Sequence, residues 1–195
     1  ESMRKTSATA YFFARYLTEH LKVPVGILVS AWGGTPAEVW TPAEIVEKDE
    51  ILSKNKLKDY PWWPIKPGVL YNQMIHPLVP YQIAGCIWYQ GESNHENAPS
   101  YARLVSKMVE AWRKDFEWDF PFYYVQIAPH TYGAKNNTPA LLREQQELML
   151  GQVKNTAMIN ISDLVENVKD IHPRNKRAIG ERLACLAMDK VYGQF

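Results

Sequence analysis

The stretch IAGCIWYQGESN, residues 83–94, runs from a short apolar segment directly into an amide, a glycine, a carboxylate, a hydroxyl and a second amide. A short continuous apolar run bounded by turn-forming residues is the form of a strand covered on both faces, as in parallel sheets with helices above and below. Residues 85–88 are therefore expected to be a strand, with Gln90, Gly91, Glu92, Ser93 and Asn94 at its carboxyl end. Outward from it the same form recurs in PVGILVS (24–30), PFYYVQI (strand over 122–127) and AMINI (157–161). Between these runs lie helical patterns. Ser7 can cap a helix reaching to about Leu21; a second spans about Pro99 to Lys114, with Leu104, Val105, Met108, Val109 and Trp112 on one face; a third covers Pro139 to Leu150, and a last follows Pro173. Strand and helix alternate throughout, which predicts an α/β sandwich with a mostly parallel sheet, in one domain over residues 1–195.

The totals narrow the function classes. The chain has 195 residues, 46% of them hydrophobic, enough for a substantial core. Lys and Arg number 22 against 21 Asp and Glu, with the signs interspersed, so no nucleic-acid or anionic-membrane surface is expected. The chain has no long apolar span and no secretory pattern. The two cysteines, Cys86 in a strand-like run and Cys185 in a helical one, are expected to be core side chains rather than a disulfide. Asn136-Asn137-Thr138 and Asn160-Ile161-Ser162 fit the glycosylation pattern, the second at an expected buried strand end, and say little about compartment.

In an open parallel sheet, ligands bind beyond the carboxyl ends of the strands, where loops and helix N-termini converge. Here the first expected strand leads to Trp32, Gly33, Gly34 and Thr35, the second to residues 90–94, the third to Gln126 and His130, and the fourth to Asp163; Asp170 and His172 precede the last helix. These polar segments fall on one rim. Gly33 and Gly34 allow backbone N–H groups to approach a developing oxyanion, and Gln90 can add a side-chain donor. In KDIHPRNK (169–176), an imidazole two residues from a carboxylate suits a general base, while the plain alternative has Asp170 helping to cap the helix and His172 in solvent. Glu92 is either a loop-holding acceptor or a turn carboxylate. Ser93 lies in G-E-S-N-H rather than the G-x-S-x-G elbow of many hydrolases, and Ser30 has no glycine elbow, so neither is favoured as a nucleophile. Glu92, His95, His130 and His172 match no compact metal motif. Trp32, Trp40, Trp62 and Trp63 could stack on sugar faces.

Four segments, VGILVSAWGGTPAEVWTP (25–42), LYNQMIHPLVPYQIAGCIWYQGESN (70–94), PFYYVQIAPH (121–130) and KDIHPRNKRAIGERLA (169–184), resemble successive blocks of the sialate O-acetylesterase family, a branch of the SGNH hydrolases related to acetylxylan esterases. The resemblance implies a three-layer α/β/α sandwich of flavodoxin-like character. It also implies hydrolysis of sugar O-acetyl esters by serine, histidine and aspartate without metal or other cofactor, in a secreted, periplasmic or lysosomal protein. By the same resemblance His172 is the base and Asp170 the acid of its block, although one residue rather than two separates them, which leaves Asp163 as an alternative partner. Gly33 or Gly34 matches a backbone oxyanion donor, Gln90 the side-chain donor, and Asn94 an alternative donor.

The family's serine lies in a GQSN-type block after the first strand, and the chain has no such block. It begins at Glu1 and enters helix-like sequence at once, as expected for the C-terminal part of a larger esterase whose first strand and nucleophile lie elsewhere, possible partners of this chain. The expected substrate is an O-acetylated glycan, foremost 9-O-acetyl sialic acid; acetylxylan is the alternative, and a non-catalytic carbohydrate-binding module is the alternative of another class.

Overall fold

In the computed structural model, which describes residues 6–59, 61–130 and 137–194, Ser7 starts the first helix, α1 (Ala8–Leu21), by accepting the Ala10 N–H on its side-chain oxygen at 3.3 Å. That bond satisfies one of the amides left unpaired in a helix's first turn. A short α2 (Ala43–Glu47) follows, and then three strands, β1 (Cys86–Trp88), β2 (Phe122–Val125) and β3 (Thr156–Ile159). The strands pair in parallel in the order β1-β2-β3, with Ile87 opposite Tyr123 and Tyr123 opposite Ala157. Parallel neighbours need long crossovers. These are α3 (Tyr101–Asp115) and α4 (Thr138–Gln152); α5 (Lys176–Lys190) closes the fold.

Alternation along β2 divides the core. Phe122 and Tyr124 face a layer containing α3 and α4, whereas Tyr123 and Val125 face α5 and α1. The expected stripe of α3 is wholly buried, Leu104, Val105, Met108, Val109 and Trp112 among its inward residues. Each such side chain contributes roughly 1.5–3 kcal/mol on leaving water. On the other face α1 and α5 pack closely at Gly180, where an added Cβ would stand 2.6 Å from the Thr9 carbonyl oxygen. The result is the three-layer α/β/α arrangement.

PVGILVS departs from expectation: residues 24–30 form no strand. The reason is the absence of a neighbour. β1 spends one edge on β2, and a cavity of about 1250 Å³ lies between its other edge and residues 25–30. A strand exists only through its ladder, and this segment has no partner for one among the described residues. Its apolar side chains are correspondingly open, Leu28 being 52% exposed and Val29 46%. Cys86 and Cys185 are half-buried free thiols; Cys86 packs against the core, where burial pushes its thiol up to about 12, whereas Cys185 lies in neither core cluster and meets the Tyr16 hydroxyl at 3.6 Å. Asn136 of the first glycosylation pattern lies outside the described residues. Asn160 of the second is exposed rather than buried, and its amide donates to Gln126 Oε1 at 2.6 Å.

Candidate active site

The rim is built by three loops that a buried polar network ties together. After β1 the chain turns at Gly91, where a Cβ would meet Ile127 Cγ2 at 2.7 Å, and enters a helical stretch, Glu92–Ser100. Asn94, 1% exposed, sits inside that turn. Its Oδ1 accepts the Ala37 N–H at 2.9 Å and a Gln90 Nε2–H at 2.8 Å, while its Nδ2 donates to Glu38 Oε2 at 2.8 Å. Glu38, fully buried, also accepts from Asn55 Nδ2 at 2.8 Å on its other oxygen. Thus the WGGT loop and the YQGES loop are joined through two amides and a carboxylate. Gln90 contributes to the same brace: Nε2 donates to the Thr35 carbonyl at 3.2 Å as well as to Asn94, and Oε1 accepts from Tyr101 at 3.0 Å. Both amide hydrogens of Gln90 are engaged within the protein, and so is Asn94's Oδ1. Buried polar groups are held this way because an unpaired one costs about 1–3 kcal/mol.

Gly33 and Gly34 lie at the cavity wall. Gly34 has φ +78°, and a Cβ there would fall 2.5 Å from the Trp63 ring, so only glycine fits. Gly33 opens onto free space. Ser93 is exposed, and the neighbouring His95 turns its Nδ1 to the Glu92 carbonyl oxygen at 2.8 Å. Ser30 donates to the Met74 carbonyl at 3.0 Å, a bond that anchors its own loop. Trp32 and Trp62 are exposed, but Trp40 is a core residue, 3% exposed, its Nε1 donating to Thr35 Oγ1, and it is not available for stacking on a sugar.

His172 is exposed and touches the cavity. Asp170 Oδ1 accepts the backbone N–H of His172 at 2.9 Å, so this carboxylate shapes the turn. Asp163 forms a two-pronged ion pair with Arg182, which holds its carboxyl below the usual range. Glu92 is half-buried, and burial raises its proton affinity against the opposing positive charge of His172 and Lys176. Glu92 and His172 both line the cavity, a meeting that no sequence spacing announces. His130 reaches the same region, its Nε2 lying 3.2 Å from the Lys169 carbonyl oxygen. Among the described residues no group of three His, Cys, Asp or Glu side chains could hold a metal ion. Two contributors were absent from the sequence expectations: Glu38, whose burial has no local signature, and Lys176, which lies at the first turn of α5 with its ammonium 5.0 Å from the centre of the Tyr89 ring.

The parallel sheet flanked by helices thus gathers two glycines, an imidazole and carboxylates on its carboxyl rim. Residues 2–189 match the family described as carbohydrate esterase, sialic acid-specific acetylesterase, and the chain belongs to that family. It is 31% identical over 207 residues to human sialate O-acetylesterase and 30% over 235 to the mouse protein, with 96% of the chain covered in each comparison. The crystal structure of a carbohydrate acetylesterase from Xanthomonas citri superimposes with a TM-score of 0.83 at 38% identity over 97% of the chain. The chain spans 40% and 43% of the lengths of those human and mouse relatives and 42% of the bacterial protein.

Proposed function

We propose that this chain is the base-and-oxyanion part of a carbohydrate esterase that removes O-acetyl groups from sugars, foremost from 9-O-acetyl sialic acid. The observation that carries the reading is the cavity, which runs from the unpaired edge of β1 past residues 25–30 to Gly33, Gly34, Gln90 and His172. Its apolar walls include Ile27, Ile87 and Leu183, and the free edge of β1 on its border is where one more parallel strand would pair. A polypeptide segment outside this chain, seated there and ending in a serine, brings a hydroxyl to the rim beside His172. In this mechanism His172 takes the serine proton as the oxygen attacks the acetyl carbonyl. N–H groups at Gly33 and Gly34 hold the oxyanion, with Gln90 or Asn94 as a further donor if one of its internal bonds is exchanged. The sugar alcohol leaves with the proton from His172, and water, activated by the same imidazole, then releases acetate. Asp170 holds the turn that presents His172, and Glu92 is a second carboxylate to balance the imidazolium.

The test compares release of acetate from 9-O-acetyl sialic acid, acetylxylan and an aryl acetate by this chain alone and by the full gene product. Activity in the longer form only, lost in His172→Ala, is the expected result. Equal activity in the chain alone, abolished by Ser93→Ala, would overturn the assignment. Sugar binding without turnover in both forms would favour a carbohydrate-binding module, and turnover of acetylxylan in preference to the sialic acid ester would move the substrate to neutral glycans.

A further inference from the structure

Lys176 is the first residue of α5, four positions after His172, and it lines the cavity together with Tyr89, Glu92 and His172. Its side chain is half-buried, and burial holds its proton affinity below the ordinary lysine value despite the nearby Glu92 and Asp170 charges. None of the ion pairs formed among the described residues includes it. Lys58, another cation on the cavity wall, is already paired with Glu96 at 2.8 Å. What Lys176 has instead is the face of Tyr89, 5.0 Å from its ammonium. A ring face restores part of what a desolvated ammonium loses in leaving water, and a carboxylate at hydrogen-bond distance restores considerably more. Glu92 also lines the cavity but forms no ion pair with Lys176.

A ligand carboxylate entering the cavity would meet Lys176 as a cation without a close anionic partner; a neutral sugar brings only hydroxyls. We propose that Lys176, seated on the Tyr89 ring, takes the carboxylate of an acetylated acidic sugar and so sets a preference for acidic over neutral sugar esters; the inference rests on the esterase reading above. Lys176 acts here in recognition. It leaves the proton transfers to His172, and its effect is to fix the acidic sugar against the wall formed by the start of α5 and the end of β1.

The experiment uses the full gene product and two substrates that differ in one charge, 9-O-acetyl-N-acetylneuraminic acid and its carboxyl methyl ester. The expected kcat/KM ratio favours the free acid by about tenfold to a hundredfold, the range of one hydrogen bond between charged groups. In Lys176→Met the ratio falls to about one, and Lys176→Arg restores most of it. Because each ratio is taken within one protein, loss of folded material cancels. A second measurement needs no turnover: binding of N-acetylneuraminic acid and of its methyl ester, followed by titration calorimetry, should show the same preference and the same loss. If neither ester is cleaved but the binding preference vanishes in Lys176→Met, the esterase reading fails and the role of Lys176 stands. A wild type that treats acid and methyl ester alike, or a Lys176→Met variant that keeps the preference, overturns the inference.

Discussion

Asn94→Ala tests the brace beneath the rim. The truncation removes three hydrogen bonds at once and leaves the Ala37 N–H, one hydrogen of Gln90 and Glu38 Oε2 without their partner, at a site 1% exposed. Each orphaned buried group costs about 1–3 kcal/mol, but Glu38 keeps Asn55 and Gln90 keeps Thr35. A total near 3 kcal/mol follows, toward the low end of the sum. For a chain of this size that corresponds to a fall in Tm of about 6–12 °C. Asn94→Asp should be comparably harmful, because its second oxygen would face Glu38 Oε2, which needs a donor. Pairing Asn94→Asp with Glu38→Gln returns a donor to that contact and should recover part of the loss. The assay is urea unfolding of each variant followed by tryptophan fluorescence and far-ultraviolet circular dichroism. A cost below about 1 kcal/mol for Asn94→Ala, or no coupling between positions 94 and 38, would refute the claim that this network holds the two loops.

Three further outcomes follow from other parts of the molecule. Asp49, whose side chain is buried against Arg103 and near Lys107, has its carboxyl held far below the usual carboxylate range, chiefly by the Arg103 hydrogen bond. Because the folded value lies below the unfolded one, the stabilisation is present above about pH 4 and is lost as the pH falls further; Asp49→Asn should lower Tm at pH 7 and flatten the acid limb of a Tm–pH curve. Gly180→Ala forces a Cβ to within 2.6 Å of the Thr9 carbonyl and 2.8 Å of Phe12 Cβ, so chemical denaturation should show a loss of about 1–3 kcal/mol as α1 and α5 move apart. Gly34→Ala meets both the positive φ and the Trp63 ring, and its signature should be a changed tryptophan near-ultraviolet spectrum with little change in helix content.

The paired strands were legible because their chemistry is local. Residues 85–88, 122–127 and 157–161 are apolar runs that end at polar turns, and each lies within two residues of β1, β2 or β3. The α3 stripe was legible for the same reason, its inward residues recurring at helical spacing. PVGILVS has the same local form and yet is not a strand, since pairing depends on a neighbour that no local pattern specifies. At the site, sequence located the loops but not the direction of each side chain. Asp170 faces a backbone amide rather than the imidazole ring in the hydrogen bond it makes, Asp163 is held by Arg182, and Gln90 is turned inward. The brace on Glu38 could not be anticipated at all, since it joins residues 55 to 56 positions distant in the chain to Thr35 and Glu38.

The open edge of β1 has a thermodynamic consequence for how this protein is handled. A segment that seats between β1 and residues 25–30 binds the folded chain and finds no such site in the unfolded one, so its binding and the folding equilibrium are linked. Stability then rises with the segment's free concentration as RT ln(1 + [L]/Kd), by about 2.7 kcal/mol at a hundred times Kd. Under the proposed function, the melting temperature of this chain would report occupancy of that edge as well as its own core. A titration of Tm against added peptide measures that affinity directly, with no need for catalysis.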